Sequence, residues 1–190
     1  MNTEKNNTAH DTRNVIDEFR GKAIDDIRDE LNTRRHRLHI AVENLERDFN
    51  AGTIVRTANA FNVETVHVIG RRQWNKRGAM MTDKYMNLQY HPDIQGFLSC
   101  VSGYHVIGID NIDGSRPMTE VSLPEATVLV FGNESYGLSA DMVAACEMIV
   151  AIEQFGSTRS MNVGVASGIA MYCWLQQNVL QNSEKSQKSY

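Results

Sequence analysis

Short runs of β-branched and apolar residues recur through the middle of the chain, at 38–42 (LHIAV), 65–70 (TVHVIG), 104–109 (YHVIGI), 127–132 (TVLVFG) and 148–152 (MIVAI). Each is too short for a helix and carries few polar positions, which predicts strands buried on both sides. Between them, apolar residues return at helical spacing over 51–61, about 94–101, 140–146 and from 161 to about 180. Strands alternating with helices predict an α/β fold, a parallel sheet with helices on both faces. Ahead of it, Val15, Ile16, Phe19, Ala23, Ile24, Ile27 and Leu31 recur among charges, which predicts one or two amphipathic helices. The first dozen residues and the last ten (QNSEKSQKSY) have no hydrophobic period and are expected to be mobile. The expected division is a mobile N-terminus with a helical extension over 1–37, one α/β domain over 38–180 and a disordered tail over 181–190.

With 190 residues the chain fits one domain, at the usual allotment of about 100 to 200 residues each. Hydrophobic residues at 42% and charged residues at 22% exclude a chain that is disordered or fibrous throughout. The net charge of -4 excludes a globally basic nucleic-acid coat and leaves local patches open. Cys100, Cys146 and Cys173 are odd in number and far apart, so the spacing offers neither a disulfide framework nor a local metal knuckle. The expectation is a cytoplasmic protein without a metal. The N-terminus lacks an apolar signal region, and no run nears the roughly 18 apolar residues of a membrane span.

Ligands of open α/β sheets collect beyond the carboxyl ends of the strands, so polar and glycine-containing segments that follow a strand are the places to search. Three stand out. In the first (50–58, NAGTIVRTA), Asn50 sits where a helix cap is expected, Gly52 allows close backbone approach, and Arg56 is an isolated cation that by itself reads as solvated. In the second (131–139, FGNESYGLS), two glycines frame a tight turn around Asn133 and Glu134, and Ser139 reads as a cap. Neither a P-loop nor a dinucleotide fingerprint is present. In the third (152–163, IEQFGSTRSMNV), Ser160 reads as the cap of a helix whose stripe Met161, Val165, Ile169, Tyr172, Leu175 and Val179 marks core or subunit contact. Small residues crowd that helix at a cost of about 1 kcal/mol per glycine, which points to close backbone packing.

Together, in order and spacing, these segments resemble the three motifs of the SPOUT class of RNA methyltransferases, in its TrmH (SpoU) branch of ribose 2′-O-methyltransferases. The resemblance spans about 38–180. Four positions depart from the pattern: Glu153 for a proline, Met161 for a leucine, Asn62 for a glycine closing the first helix, and Arg47-Asp48 for Asp-Pro. The resemblance implies a SPOUT fold with a C-terminal deep trefoil knot, S-adenosylmethionine as cofactor and a homodimer packed through the C-terminal helix, here the stretch ending in Trp174, Leu175 and Val179. It assigns Gly132, Ile152, Ser160 and Met161 to cofactor binding, with Asp110 beside them. It makes Arg56 the catalytic residue, with Asn50, Glu134, Ser160 and Asn162 positioning it, the RNA and the cofactor loop. A guanidinium stays protonated at ordinary pH, so Arg56 is expected to stabilise the developing alkoxide rather than act as a base.

RNA binding by an acidic chain directs attention to Arg71, Arg72, Trp74, Lys76 and Arg77 after the second strand, and to Arg34, Arg35 and Arg37. Trp74 either stacks on a base or tucks onto the protein, and a helix C-terminus is an alternative reason for the second group. With no additional RNA-binding domain, tRNA is preferred to rRNA as partner. The rival readings are a base-methylating SPOUT enzyme and a noncatalytic RNA-binding module of the same fold.

Overall fold

A computed structural model describes residues 11–70 and 76–181, without the side chains of Asp48, Lys76 and Arg77. Its centre is a seven-stranded sheet made of β1 (His36–Glu43), β2 (Val63–Ile69), β3 (Asn87–His91), β4 (His105–Ile109), β5 (Arg116–Pro117), β6 (Thr127–Phe131) and β7 (Met148–Ala151). The order is β3-β2-β1-β6-β4-β7-β5, and every pairing is parallel. The five expected strands are all present. β3 and β5 were not anticipated: β3 (NLQYH) is a largely polar edge strand, and β5 is two residues long.

Five α-helices accompany the sheet among the described residues: α1 (Ile24–Asn32), α2 (Asp48–Ala60), α3 (Ile94–Cys100), α4 (Ala140–Ala145) and α5 (Val163–Leu175). Strand alternation divides the core in two. Leu38, Ile40 and Val42 of β1, with Leu129 and Phe131 of β6, meet Ile54, Val55 and Ala58 of α2 and Met171 and Trp174 of α5. Ala41, Val128 and Val130 face the other way, onto Phe97 of α3 and Met142 of α4. Both faces are therefore covered, as a parallel sheet requires. The small residues of α5 lie against α2, where a Cβ at Gly164 would come within 3.2 Å of the Thr53 side chain.

In the N-terminal region a short turn over Asp17–Phe19 and α1 place Phe19 and Ile27 against Tyr85, in a small cluster apart from the main core. β1 opens at His36, two residues before the expected boundary at 38. The mobility expected of residues 1–10 and 182–190 lies outside the described residues.

Three local expectations need correction. Asn50 is not the cap of α2; it lies inside the first turn, and Arg47 takes the cap position without a side-chain bond. Ser160 does not cap α5, because Asn162 Oδ1 accepts the N–H groups of Gly164 and Val165 at 2.9 and 3.2 Å. The expected stripe of α5 is split: Val165, Ile169 and Tyr172 are exposed, whereas Leu175 is buried and the packed face is completed by Ser167, Ala170, Met171 and Trp174. Trp174 is only 1% exposed, and its Nε1 donates to Pro124 O at 2.8 Å, so it belongs to the core and not to a subunit contact. Ser139 does cap α4, its Oγ accepting Met142 N–H, and Asn62 takes the left-handed conformation (φ 49°) in place of glycine.

Replacing Trp174 by alanine removes a large buried side chain and one of the two hydrogen bonds to Pro124 O, so Trp174→Ala should lose about 3–5 kcal/mol of stability in equilibrium denaturation followed by circular dichroism. Trp174→Phe, which keeps most of the ring, should lose less.

Candidate active site

The loops that follow β4, β6 and β7 meet the starts of α2 and α5 around a cleft of about 510 Å³ at the carboxyl edge of the sheet. The side chains that shape it come from distant parts of the chain and are joined by hydrogen bonds. Asn162 Nδ2 donates to Asn50 Oδ1 at 3.0 Å, and Asn50 Nδ2 donates to Glu134 Oε1 at 2.8 Å. Glu134 also accepts the backbone N–H groups of Glu46 at 2.8 Å and Arg47 at 3.2 Å. Asn50 is 4% exposed, so its amide is fixed inside the protein. Burial by itself would raise the Glu134 pKa. The donors from Asn50 and from the Glu46 and Arg47 backbone outweigh it and hold the carboxyl below its ordinary range.

A second set of bonds builds the opposite wall. Asp110 Oδ2 accepts Leu138 N–H at 2.8 Å and Oδ1 accepts Asn111 N–H at 2.7 Å, which ties the end of β4 to the loop after β6. That loop is closed by paired backbone bonds between Asn133 and Gly137. Gly137 has φ +72°, and a Cβ at Gly132 would lie 2.1 Å from the Gly137 carbonyl carbon, so the turn tolerates no side chain at Gly132. Ile109, Phe131, Ile152 and Met161 give the cleft apolar surface, while its rim is polar. Its size and mixed lining suit a nucleoside-sized ligand.

Eight of the residues singled out from sequence line this cleft: Asn50, Asp110, Gly132, Glu134, Ile152, Ser160, Met161 and Asn162. Arg56 does not. It follows Asn50 by six residues, about a third of a turn round α2, and is exposed outside the cleft of its own chain. Sequence reasoning missed Arg47, Tyr136 and Arg159, which also line it; Arg159 immediately precedes Ser160, and Tyr136 is 86% exposed within the second motif. Glu153, between two lining residues, is absent from the cleft wall. Its carboxylate is hydrogen-bonded to the Thr119 hydroxyl and backbone N–H, which lowers its pKa.

The residues considered for RNA scatter. Arg71, Arg72 and Trp74 lie outside the described residues, as do the side chains of Lys76 and Arg77. Arg35 is a correction: it bonds to Val63 O, Tyr85 O and Asn32 Oδ1, and so fastens β2 and the segment before β3 to the start of β1. Arg34 pairs with Glu18 and Glu30, and Arg37 sits over the Tyr104 ring. α1 closes at Asn32 with no basic residue in its last turn, so these arginines lie beyond the helix end.

Residues 37–172 match the SpoU rRNA Methylase family. The chain is 26% identical to the tRNA (guanosine(18)-2′-O)-methyltransferase of Thermus thermophilus over 165 residues, 82% of this chain and 81% of that one. The protein of the same name from Borreliella burgdorferi is 26% identical over 150 residues, 76% of this chain and 69% of the other. Among solved structures, the TrmH/SpoU tRNA modifying enzyme of Aquifex aeolicus superposes with a TM-score of 0.73 at 26% identity, covering 86% of this chain and 84% of its own. A structure concerned with 2-OH methylation of C/U34 on tRNA gives a TM-score of 0.70 at 28% identity, over 77% of this chain and 98% of that one.

Glu46 N–H bonds to one carboxylate oxygen of Glu134, and Arg47 N–H and Asn50 Nδ2 to the other, so Glu134→Gln would turn an amide donor toward one of these two sets. It should cost about 1–3 kcal/mol and speed hydrogen exchange at one of the Glu46 and Arg47 amides, while exchange in the core of β1 stays slow.

Proposed function

The chain belongs to the SpoU rRNA methylase family, and from that premise we propose that it is an S-adenosylmethionine-dependent methyltransferase acting on a ribose 2′-hydroxyl of tRNA. The observation that carries this reading is the chain of bonds from Asn162 through Asn50 to Glu134, which joins all three sequence motifs at one nucleoside-sized cleft. tRNA rather than rRNA is favoured because the relatives that match over most of their length are tRNA 2′-O-methyltransferases.

The cofactor supplies an electrophilic methyl group on a sulfonium. Ile109, Phe131, Ile152 and Met161 offer apolar surface for an adenosine, and the backbone of 132–137 and 152–161 offers it polar partners. Asp110 acts indirectly, by holding the 132–138 loop in place. Asn50, Glu134 and Asn162 fix the mouth of the cleft, and Ser160 stands beside the incoming ribose. Bound in this cleft, the cofactor would supply its methyl group to the ribose oxygen, whose proton a substrate phosphate would accept. Arg56 stabilises the charge that grows on that oxygen.

Because Arg56 lies outside the cleft of its own chain, the reading includes a homodimer in which Arg56 serves a site completed by the second copy. Val165, Ile169 and Tyr172 form an exposed apolar face of α5, with the Tyr172 ring against Phe61 at the end of α2, which supports burial there. The reading also includes a trefoil knot. α5 packs on α2 and β6, although β7, from which it departs, lies beyond β4, so residues 152–162 must pass back across the loops after β4 and β6. Residues 38–180 form the transferase unit, with 1–37 as an added arm. The three free thiols suit a reducing cytoplasm, and among the described residues no helix is long and apolar enough to cross a membrane.

Incubating the protein with labelled S-adenosylmethionine and unmodified tRNA, then digesting to nucleosides for mass spectrometry, should place the methyl on ribose; label on a base would refute the reading. Arg56→Lys keeps the charge and loses the planar fork, so turnover should fall at least 100-fold while cofactor affinity by calorimetry stays within about threefold.

A further inference from the structure

On the far side of β1 from the cleft, three imidazoles span the strands in a row. His39 of β1 has Nδ1 2.8 Å from Nε2 of His67 on β2, and His67 Nδ1 is 2.9 Å from Nε2 of His91 on β3. His67 is fully buried, while His91 is half-exposed at the end of the edge strand. At the inner end of the row His39 Nε2 lies 3.5 Å from the Glu64 carboxylate, beyond an ordinary hydrogen bond and within reach of its charge, and Glu64 also accepts the Tyr104 hydroxyl at 2.8 Å. The carboxylate draws the N–H of His39 to Nε2, which leaves Nδ1 as an acceptor. His67 must then donate from Nε2, and its Nδ1 presents a lone pair toward His91. Cys100, exposed at the last position of α3, brings Sγ close, so that one ligand atom from each of His67, His91 and Cys100 lies within 4.8 Å of the others.

We propose that His67, His91 and Cys100 form a zinc site that clamps β2, β3 and α3 together at the edge of the sheet, apart from the transfer site. In a tetrahedral zinc site two imidazole nitrogens stand about 3.3 Å apart, and a nitrogen and a thiolate sulfur about 3.6 Å. The two imidazoles therefore need to part by only a few tenths of an ångström, and the remaining adjustment falls to the exposed Cys100 side chain. The inner end of the row supplies what metal-bound histidines require, since the second nitrogen of His67 is held by a His39 that is itself oriented by a carboxylate. Two imidazoles and a thiolate favour zinc over magnesium or calcium. Cys100 Sγ donates to Gln89 Oε1 at 2.9 Å, a bond that the thiol gives up when it binds as a thiolate. On binding, the His91 proton moves from Nε2 to Nδ1, and the Cys100 thiol gives its proton to solvent.

Cobalt(II) is the probe. Titrated into the chelator-treated full chain, it should bind at one equivalent, with a thiolate-to-cobalt charge-transfer band and the strong visible bands of four-coordinate cobalt, and zinc should displace it. Cys100→Ser should abolish the charge-transfer band, and His91→Gln should weaken binding at least tenfold; both positions reach the surface, and circular dichroism checks that the variants fold. A charge-transfer band that survives in Cys100→Ser, cobalt bound without any such band, affinity unchanged in His91→Gln, or no cobalt bound by the folded chain would each overturn the site.

Discussion

The hydrogen-bond chain from Asn162 through Asn50 to Glu134 is the constraint that holds the cleft together, because its members come from the start of α5, the first turn of α2 and the loop after β6. Each amide is used on both sides: Asn50 accepts from Asn162 and donates to Glu134, and Asn162 also caps α5. Moving one partner leaves a buried amide or a partly buried carboxylate unsatisfied, which is costlier than the net gain of an ordinary hydrogen bond. The helix axis and the cleft wall are thereby coupled.

The sheet order explains why such a device is needed. β7 lies beyond β4, yet α5 packs against α2 and β6, so the chain returns across the carboxyl ends of the central strands before it can bury its helix. The return segment 152–162 is largely polar and makes one wall of the cleft. Small residues on α5 let it sit close to α2, where Gly164 opposes Thr53 and Gly168 opposes Thr57. Trp174 then closes the far end against the segment before β6. Helix packing positions the cleft, and the asparagine chain fixes its mouth.

The features legible from sequence are those whose cause is local or periodic. The central strands announce themselves because both of their faces are buried, and Ser139 because a cap needs only the next three residues. β3 was not legible, since an edge strand that shows Asn87, Gln89 and Tyr90 to its surroundings has no apolar run. Asn50 was read as a cap because its true partners, Glu134 and Asn162, lie far away in the sequence. Arg35 looked like one cation of a basic cluster, yet its guanidinium is spent on two carbonyls brought near by tertiary packing. The proposed zinc cluster was not legible for the same reason: His67, His91 and Cys100 sit on separate elements that only the folded sheet places side by side.

Two observations that look unrelated meet in the proposed homodimer. Arg56 stands exposed on α2, outside the cleft that holds every other residue of the expected catalytic set, and α5, which packs on α2, shows Val165, Ile169 and Tyr172 to solvent. An exposed apolar face on a helix that also carries a buried one is costly for a lone chain and is relieved when a copy covers it. In the proposed homodimer, covering it would bring a second α2 with its Arg56 toward the first chain, which is what the proposed transfer chemistry requires. A twofold contact is self-complementary, so a pair of chains that buries both apolar faces also treats both sites alike. In the proposed homodimer catalysis would depend on assembly: the cleft lies within one chain, and the cation proposed to stabilise the ribose oxygen would reach its position only across the pair.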